Sequence, residues 1–235
     1  MSDSQRQLPL SLPHSAAMTR ADFIVGRANQ SAVALIDRFP DWPNPVALLV
    51  GPVGSGKTHL GQIWKAATGA VEIAARDLAT TGLDELVGES PVLVEDLHEE
   101  GVSQPALFHL FNLVRERRVA ALLTSRVPLQ ALDFALPDLN SRLRATVPVE
   151  LREPDDELLA RVIVKLFADR QVAVDPAVVD FISRRMERSL GAANRLVELL
   201  DHEALAAGRP ITRQLAAAVL TREAGDEPEL PFDGE

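Results

Sequence analysis

Five short apolar runs recur along the chain, each roughly strand-sized and set apart by longer stretches with helical spacing. They are VALLV (46–50), VEIAA (71–75), PVLVE (91–95), VAALLTS (119–125) and TVPVEL (146–151). Helical patterns follow Lys57 and cover 104–118. Strands alternating with helices predict βαβ units and a mostly parallel sheet, an α/β arrangement. The runs are nearly all apolar rather than alternating, as expected of strands covered on both faces. Upstream, DFIVGRANQSAVALIDRF (22–39) is amphipathic and leads into the turn-rich PDWPNP (40–45).

Past Leu151 the pattern turns wholly helical. PDDELLARVIVKLFADR (154–170) starts acidic and ends basic, as the helix dipole favours. Asp175 and Pro176 pair an N-cap with proline at the first helical position, opening a helix over PAVVDFISRRMER (176–188). Ser189 caps a third, reaching about Ala207, and RPITRQLAAAVLTRE (209–223) supplies a fourth. The expected organisation is a flexible tail (1–22), an α/β unit (23–152), a small all-α lid (153–222) and an acidic, disordered end (223–235).

Composition narrows the function classes. None of the 235 residues is cysteine, which removes disulfides, thiolate metal sites and cysteine nucleophiles and fits a cytoplasmic location. No apolar run nears the ~20 residues of a membrane span, so no membrane partner is expected. The N-terminus lacks the basic and apolar regions of a signal peptide. The formal net charge of −10 weighs against direct, sequence-specific DNA binding. RERR (115–118), the densest basic run, sits at a predicted helix end, where a solvated face is expected.

The chemistry concentrates in GPVGSGKTH, from Gly51 to His59. Gly51, Gly56, Lys57 and Thr58 meet the pattern G-x-x-x-x-G-K-[ST]. The glycines Gly51, Gly54 and Gly56 let successive N–H groups of the Pro52, Val53 and Ser55 stretch converge on phosphate oxygens. Lys57 is placed to reach the β- and γ-phosphates, and Thr58 offers a hydroxyl to Mg²⁺. The helix opening there adds its positive end. By chance the pattern arises in roughly 1% of chains this long. Here it also lies between a predicted strand and a predicted helix, which is the context that gives it meaning.

Two further strand ends fit beside it. In PVLVEDLH, Glu95 takes the metal-side position and Asp96 the water-side position of an acidic pair. Glu95 is longer than the aspartate usual in that first slot, which puts hydrolysis by this chain in question. In LLTSR (122–126), Thr124 or Ser125 is placed to sense a terminal phosphate. At the N-terminus, Gln7, Leu8, Leu10 and Leu12 form Q-L-x-L-x-L, with Pro9 and Pro13 keeping it extended. Its leucines suit either a partner's apolar subsites or the chain's own surface.

These residues resemble a family. Three passages, GPVGSGKTHL, VLVED and FALPDLNSRL (134–143), are similar to the AAA+ module of the replication initiator DnaA. The leading QLPLSLP and the stop after the helical part look more like the shorter, Hda-type DnaA-related regulators. The resemblance implies an AAA+ P-loop NTPase fold: a parallel five-stranded sheet flanked by helices, followed by the all-α lid. It implies ADP or ATP with Mg²⁺ as ligands, His59 included in the nucleotide contacts. It makes 7–12 a binding motif for the DNA polymerase sliding clamp and Arg142 an arginine finger presented to DnaA, with Arg144 as the alternative. A homodimer stays open. The family's lid arginine would fall at Ala192, so either Arg195, one turn later, reaches back to the nucleotide or that contact is missing. Two other readings of the residues remain: a self-contained, helicase-loader-like ATPase, and a non-catalytic scaffold.

Overall fold

The computed structural model describes residues 19–132 and 134–225. The motif at Gln7–Leu12 and the acidic stretch after residue 225 therefore lie outside the described residues. The five apolar runs form β1 (Val46–Val50), β2 (Val71–Ala74), β3 (Val92–Glu95), β4 (Ala121–Ser125) and β5 (Val147–Glu150). They pair in parallel in the order β2-β3-β4-β1-β5. The three interior strands are buried along their whole length, which is why they read as unbroken apolar runs. Edge strand β5 instead alternates half-buried Val147 and Val149 with exposed Pro148 and Glu150. Proline is tolerated there because an edge strand has a free side.

Nine α-helices complete the described residues: α1 (Gln30–Asp37), α2 (Lys57–Thr68), α3 (Leu83–Val87), α4 (Gln104–Arg117), α5 (Pro137–Arg144), α6 (Asp156–Asp169), α7 (Pro176–Ser183), α8 (Leu190–Ala207) and α9 (Arg213–Gly225). None is long and apolar enough to cross a membrane. The period-two alternation of β1 divides the sheet's two cores. Val46, Leu48 and Val50 pack with Leu107, Leu110 and Phe111 of α4 and with Leu139 and Leu143 of α5. Ala47 and Leu49 face Ala32 and Ile36 of α1 and Leu60, Ile63 and Trp64 of α2. Helices α6 to α9 enclose a third core around Leu159, Ile163, Phe167, Ile182, Leu196 and Leu200.

Local signals account for most helix ends. Asp155 and Ser189 accept hydrogen bonds from the N–H groups of Leu158 and Ala192, and Asp175 from Ala177 ahead of α7. Gly69 and Gly208 close α2 and α8 in the left-handed region, which glycine enters without penalty. One expectation needs correction. The helix expected over 176–188 stops at Ser183, because the chain turns to bury Met186 in the helical core and to bring Ser189 into place as the next N-cap. The amphipathic stretch 22–39 is helical only from Gln30; before it, Phe23 is buried and Asn29 braces a loop.

Parallel crossovers leave the C-terminal ends of β1, β3 and β4 at one edge of the sheet, where ligands of open α/β sheets sit. Backbone bonds stitch that edge together. Gly51 N–H donates to Ser125 C=O (3.1 Å), Leu97 N–H to Thr124 C=O (2.8 Å) and Leu151 N–H to Val50 C=O (2.7 Å).

Candidate functional site

The loop Gly51–Gly56 leaves β1 and opens α2, and its glycines are sterically required. A Cβ on Gly51 would lie 2.4 Å from the Leu151 carbonyl oxygen, which cannot swing aside. Gly54 has φ +72° and a Cβ there would meet Ser189 Oγ at 1.8 Å. Gly56, at φ +100°, is held between Leu190 and Phe23. The loop is thus shaped by glycine's freedom at positive φ and by close approach from α8. Pro52 and Val53 are exposed, and Val53 forms an apolar tip.

Lys57 is buried, with Nζ donating to the Gly51 (2.6 Å) and Pro52 (2.9 Å) carbonyls. The ammonium therefore sits inside the loop's curl. Burial lowers its pKa, and the charge of Arg126 lowers it further against the opposing pull of Asp96 and Glu95. Ser55 Oγ is buried without a hydrogen-bond partner. Thr58 is exposed on the first turn of α2. His59 packs edge-to-face on Phe23 with ring centroids 5.0 Å apart. Its buried Nε2 is unpartnered, and burial lowers its pKa.

The acidic pair behaves asymmetrically. Glu95 is buried and accepts a hydrogen bond from Thr124 Oγ1 at 2.5 Å through Oε2, while its Oε1 has no partner. Burial pushes its carboxyl above the usual range, with the charges of Asp96 and Glu72 adding to the rise and the Thr124 hydroxyl and Lys57 opposing it. Asp96 turns out of the strand at φ +60°, its N–H donating to the same Thr124 oxygen (2.9 Å). Thr124 is thus fully employed in joining β3 to β4. Ser125, the alternative sensor, donates to Val127 C=O (2.7 Å) and accepts from Val127 N–H (3.2 Å), shaping the turn after β4.

Helix α8 closes the site from the other side. Leu190 N–H donates to Gly54 C=O (2.8 Å), so the start of α8 rests on the phosphate loop. Ala192 is buried there. Arg195 lies 3.6 Å from Glu187 as an exposed ion pair. Arg142, on α5, is half-buried with its guanidinium 4.6 Å from the centre of the Phe108 ring, and Arg144 is exposed. The structure thus gathers Gly51–Lys57, Glu95, Asp96 and Thr124 at one edge of the sheet. No hydrogen bond joins Arg142 or Arg195 to that loop among the described residues.

Three participants escape the sequence patterns. Ser189 was legible only as a helix cap, and its contact with Gly54 spans 135 positions. Arg126 follows the β4 pair and carries a charge felt at Lys57. Asn29 accepts from Gly26 N–H (2.8 Å) and donates to Ile24 C=O (3.0 Å), fixing the loop that precedes α1. That loop lines a cleft of about 220 Å³ with Val25, Arg27, Leu158 and Arg161.

No family model matches the sequence. The chain is 26% identical over 228 residues to an uncharacterized protein of Haemophilus influenzae, covering 92% of this chain and 98% of that protein. It is 26% identical over 250 residues to the chromosomal replication initiator protein DnaA of Herpetosiphon aurantiacus, with 91% of this chain covered; it spans 52%, about half, of that relative's length. Among solved structures, domain III of Thermotoga maritima DnaA superposes with a TM-score of 0.74 at 20% identity, covering 87% of this chain and 96% of that one. AMPPCP-bound DnaA from Aquifex aeolicus gives 0.63 at 23% identity, covering 77% and 64%. The chain has the AAA+ P-loop fold, similar to that of DnaA domain III.

Proposed function

We propose that this chain is a nucleotide-binding regulator of replication initiation of the Hda type. The observation that carries the reading is the match to DnaA domain III over nearly all of that domain, with an intact glycine cradle around Lys57. Adenine nucleotide, ADP or ATP, is held by 51–58; the structurally similar DnaA from Aquifex aeolicus is AMPPCP-bound. The unpaired Ser55 hydroxyl and the ammonium curled into the loop suit phosphate oxygens.

Mg²⁺ fits the exposed Thr58 hydroxyl and the partnerless Glu95 Oε1. No cluster of three or more ligating side chains is present among the described residues, so the phosphates themselves must complete such a site. When bound, the ion neutralises phosphate charge. The chain's own turnover is expected to be slow. Glu95 is tied to Thr124, and Ala192 offers no guanidinium.

In this reading the catalytic contribution is made in a partner. The tail at Gln7, Leu8, Leu10 and Leu12 docks on the polymerase sliding clamp, and Arg142 enters the nucleotide site of ATP-bound DnaA. There the guanidinium stabilises charge on the phosphoryl group being transferred. Arg142 is suited to this because its present partner is an aromatic ring and not a carboxylate, a contact worth about 0.5–2 kcal/mol.

The test is hydrolysis of DnaA-bound ATP with clamp loaded on DNA. The wild-type chain should accelerate it. Arg142→Ala should lose the stimulation by on the order of a hundredfold or more, and Gln7→Ala should weaken the clamp-dependent part. Absence of stimulation by the wild type would overturn the proposal.

A further inference from the structure

The edge of the sheet opposite the phosphate loop carries a cleft that the nucleotide reading leaves unused. Its volume is about 350 Å³, at the low end of the range for binding pockets. Pro45, Pro91 and Ala120, which lead into β1, β3 and β4, line it together with Phe39, Pro40 and Trp42. The aromatic wall is fixed in place. Trp42 Nε1 donates to Leu35 C=O (2.7 Å), and its ring stacks on buried Trp64 with centroids 5.4 Å apart. Phe39 meets Trp42 edge-on at 5.2 Å, and both rings stay half-buried. The strand ends offer little backbone. The carbonyls of Pro45, Pro91 and Ala120 already accept from Ala121, Val71 and Val92 N–H, and proline has no N–H to give. An occupant is therefore recognised by apolar contact with aromatic rings, as extended proline-containing segments are, and not by strand addition.

The chain's own N-terminal tail supplies such a segment. QLPLSLP (7–13) is apolar at Leu8, Leu10 and Leu12, and Pro9 and Pro13 favour an extended course. The described chain starts at Thr19, and Arg20 is fastened to Asp37 by two hydrogen bonds of 2.7 Å. Asp37 lies two residues before Phe39, so the tail leaves the fold close to the cleft. The stretch from Leu12 to Thr19 reaches about 23–25 Å when extended. A segment tethered within reach has an effective concentration of millimolar order, so even a weak site is occupied. The other terminal segment, 226–235, continues from α9 on the helical part, and half of its residues are acidic. It suits an apolar cleft with Glu89 exposed at its rim far less well.

We propose that residues 7–13 dock in this cleft of their own chain, with leucine and proline side chains against Phe39 and Trp42, as an intramolecular latch. Docking does not depend on what else the tail binds. Its consequence rests on the functional reading given above: the sliding clamp has to compete with the cleft for Leu8, Leu10 and Leu12.

Trp42 and Trp64 are the 2 tryptophans of the chain, so its whole indole emission reports on this cluster. Iodide quenching of the full chain is compared with that of the triple variant Leu8→Ser, Leu10→Ser, Leu12→Ser, without clamp, DnaA or nucleotide. The variant should quench more readily, and a synthetic peptide of residues 5–14 should restore its protection. That peptide should bind wild type at least about tenfold more weakly than the variant, because the tethered copy competes with it. The absence of cysteine allows a second readout. Leu10→Cys combined with Glu89→Cys should form an internal disulfide under a mild oxidant, whereas Leu10→Cys combined with Arg209→Cys on the helical part should not. Equal quenching of wild type and triple variant, or equal linking at both positions, would overturn the docking and leave the DnaA hydrolysis assay to judge the regulator reading. A disulfide-linked dimer in place of the internal link would seat the tail in a second copy and overturn the latch. Where docking holds, added clamp should raise the quenching of wild type to the level of the triple variant. A clamp that supports stimulation of DnaA without doing so would overturn the competition alone.

Discussion

The phosphate loop and the strand ends facing it are built on opposite terms. Around Gly51 and Gly54 the neighbouring atoms approach so closely that no side chain fits, and Ser55 Oγ is left buried and unpaired. This half of the edge is incomplete at one point: the Ser55 hydroxyl has no partner of the chain's own, while Lys57 Nζ is held by the Gly51 and Pro52 carbonyls. Across the gap, Thr124 gives its proton to Glu95 and takes one from Asp96 N–H, so the polar groups are spent on one another. Of the buried oxygens there, Glu95 Oε1 alone lacks a partner, and the partly exposed Asp96 carboxylate has only His98 nearby among the described residues, at 3.8 Å. A site that keeps its cradle open and its buried acid engaged is suited to hold a ligand more than to convert it. The difference can be broken from either side.

The largest effect is expected on the cradle. Gly54→Ala forces a Cβ into the left-handed region and into Ser189, so it should lower stability by roughly 2–4 kcal/mol. The start of α8 would be pushed off the loop as well. Ser189→Gly removes the atoms in the way. A double-mutant cycle measured by denaturant unfolding should therefore show a favourable coupling between the two substitutions. Additive penalties would mean that the Gly54–Ser189 contact does not limit the loop.

On the opposite side, Thr124→Val keeps shape but removes the hydroxyl that serves two neighbours. It leaves Asp96 N–H and Glu95 Oε2 without their partner, at an expected cost of about 1–3 kcal/mol. A smaller loss, read from the unfolding midpoint at unchanged slope, would show that water replaces the hydroxyl and that the acids are less self-contained than their geometry implies.

Much of this contrast could be read in the chain, and the part that could not has a physical explanation. The interior strands announced themselves because burial on both faces leaves an unbroken apolar run, and the loop announced itself because phosphate geometry demands glycine at fixed offsets. The caps at Asp175 and Ser189 were equally local signals. Helix α3 is too short, at 5 residues, to show a period. Helix α5 begins behind Leu136, which has no side-chain oxygen to mark a cap. The hydroxyl of Thr124 reaches Glu95 across 29 positions, and its commitment to that carboxylate depends on strand order. Glu95 was legible as an acid at a strand end, yet its altered titration was not, because burial is a property of the packed sheet.

That titration supplies the smallest and most diagnostic effect. The carboxyl of Glu95 has its pKa raised in the folded protein, so above the unfolded value the native state holds its proton more tightly than the unfolded chain does. The contribution of this group to stability is therefore fully present below the unfolded pKa and is lost as pH rises through the folded pKa. Glu95→Gln keeps an oxygen to accept from Thr124 and carries no charge to bury. It should melt higher than wild type at pH 8, by an amount on the order of 1 kcal/mol, and the gap should close towards pH 4. A gap independent of pH would mean that Glu95 is ionised at no net cost in its pocket. An inverted gap, with wild type more stable at pH 8, would mean that the charge is stabilised where it sits. In either case the acid would be poised for a metal ion, and the two halves of the edge would no longer differ in kind.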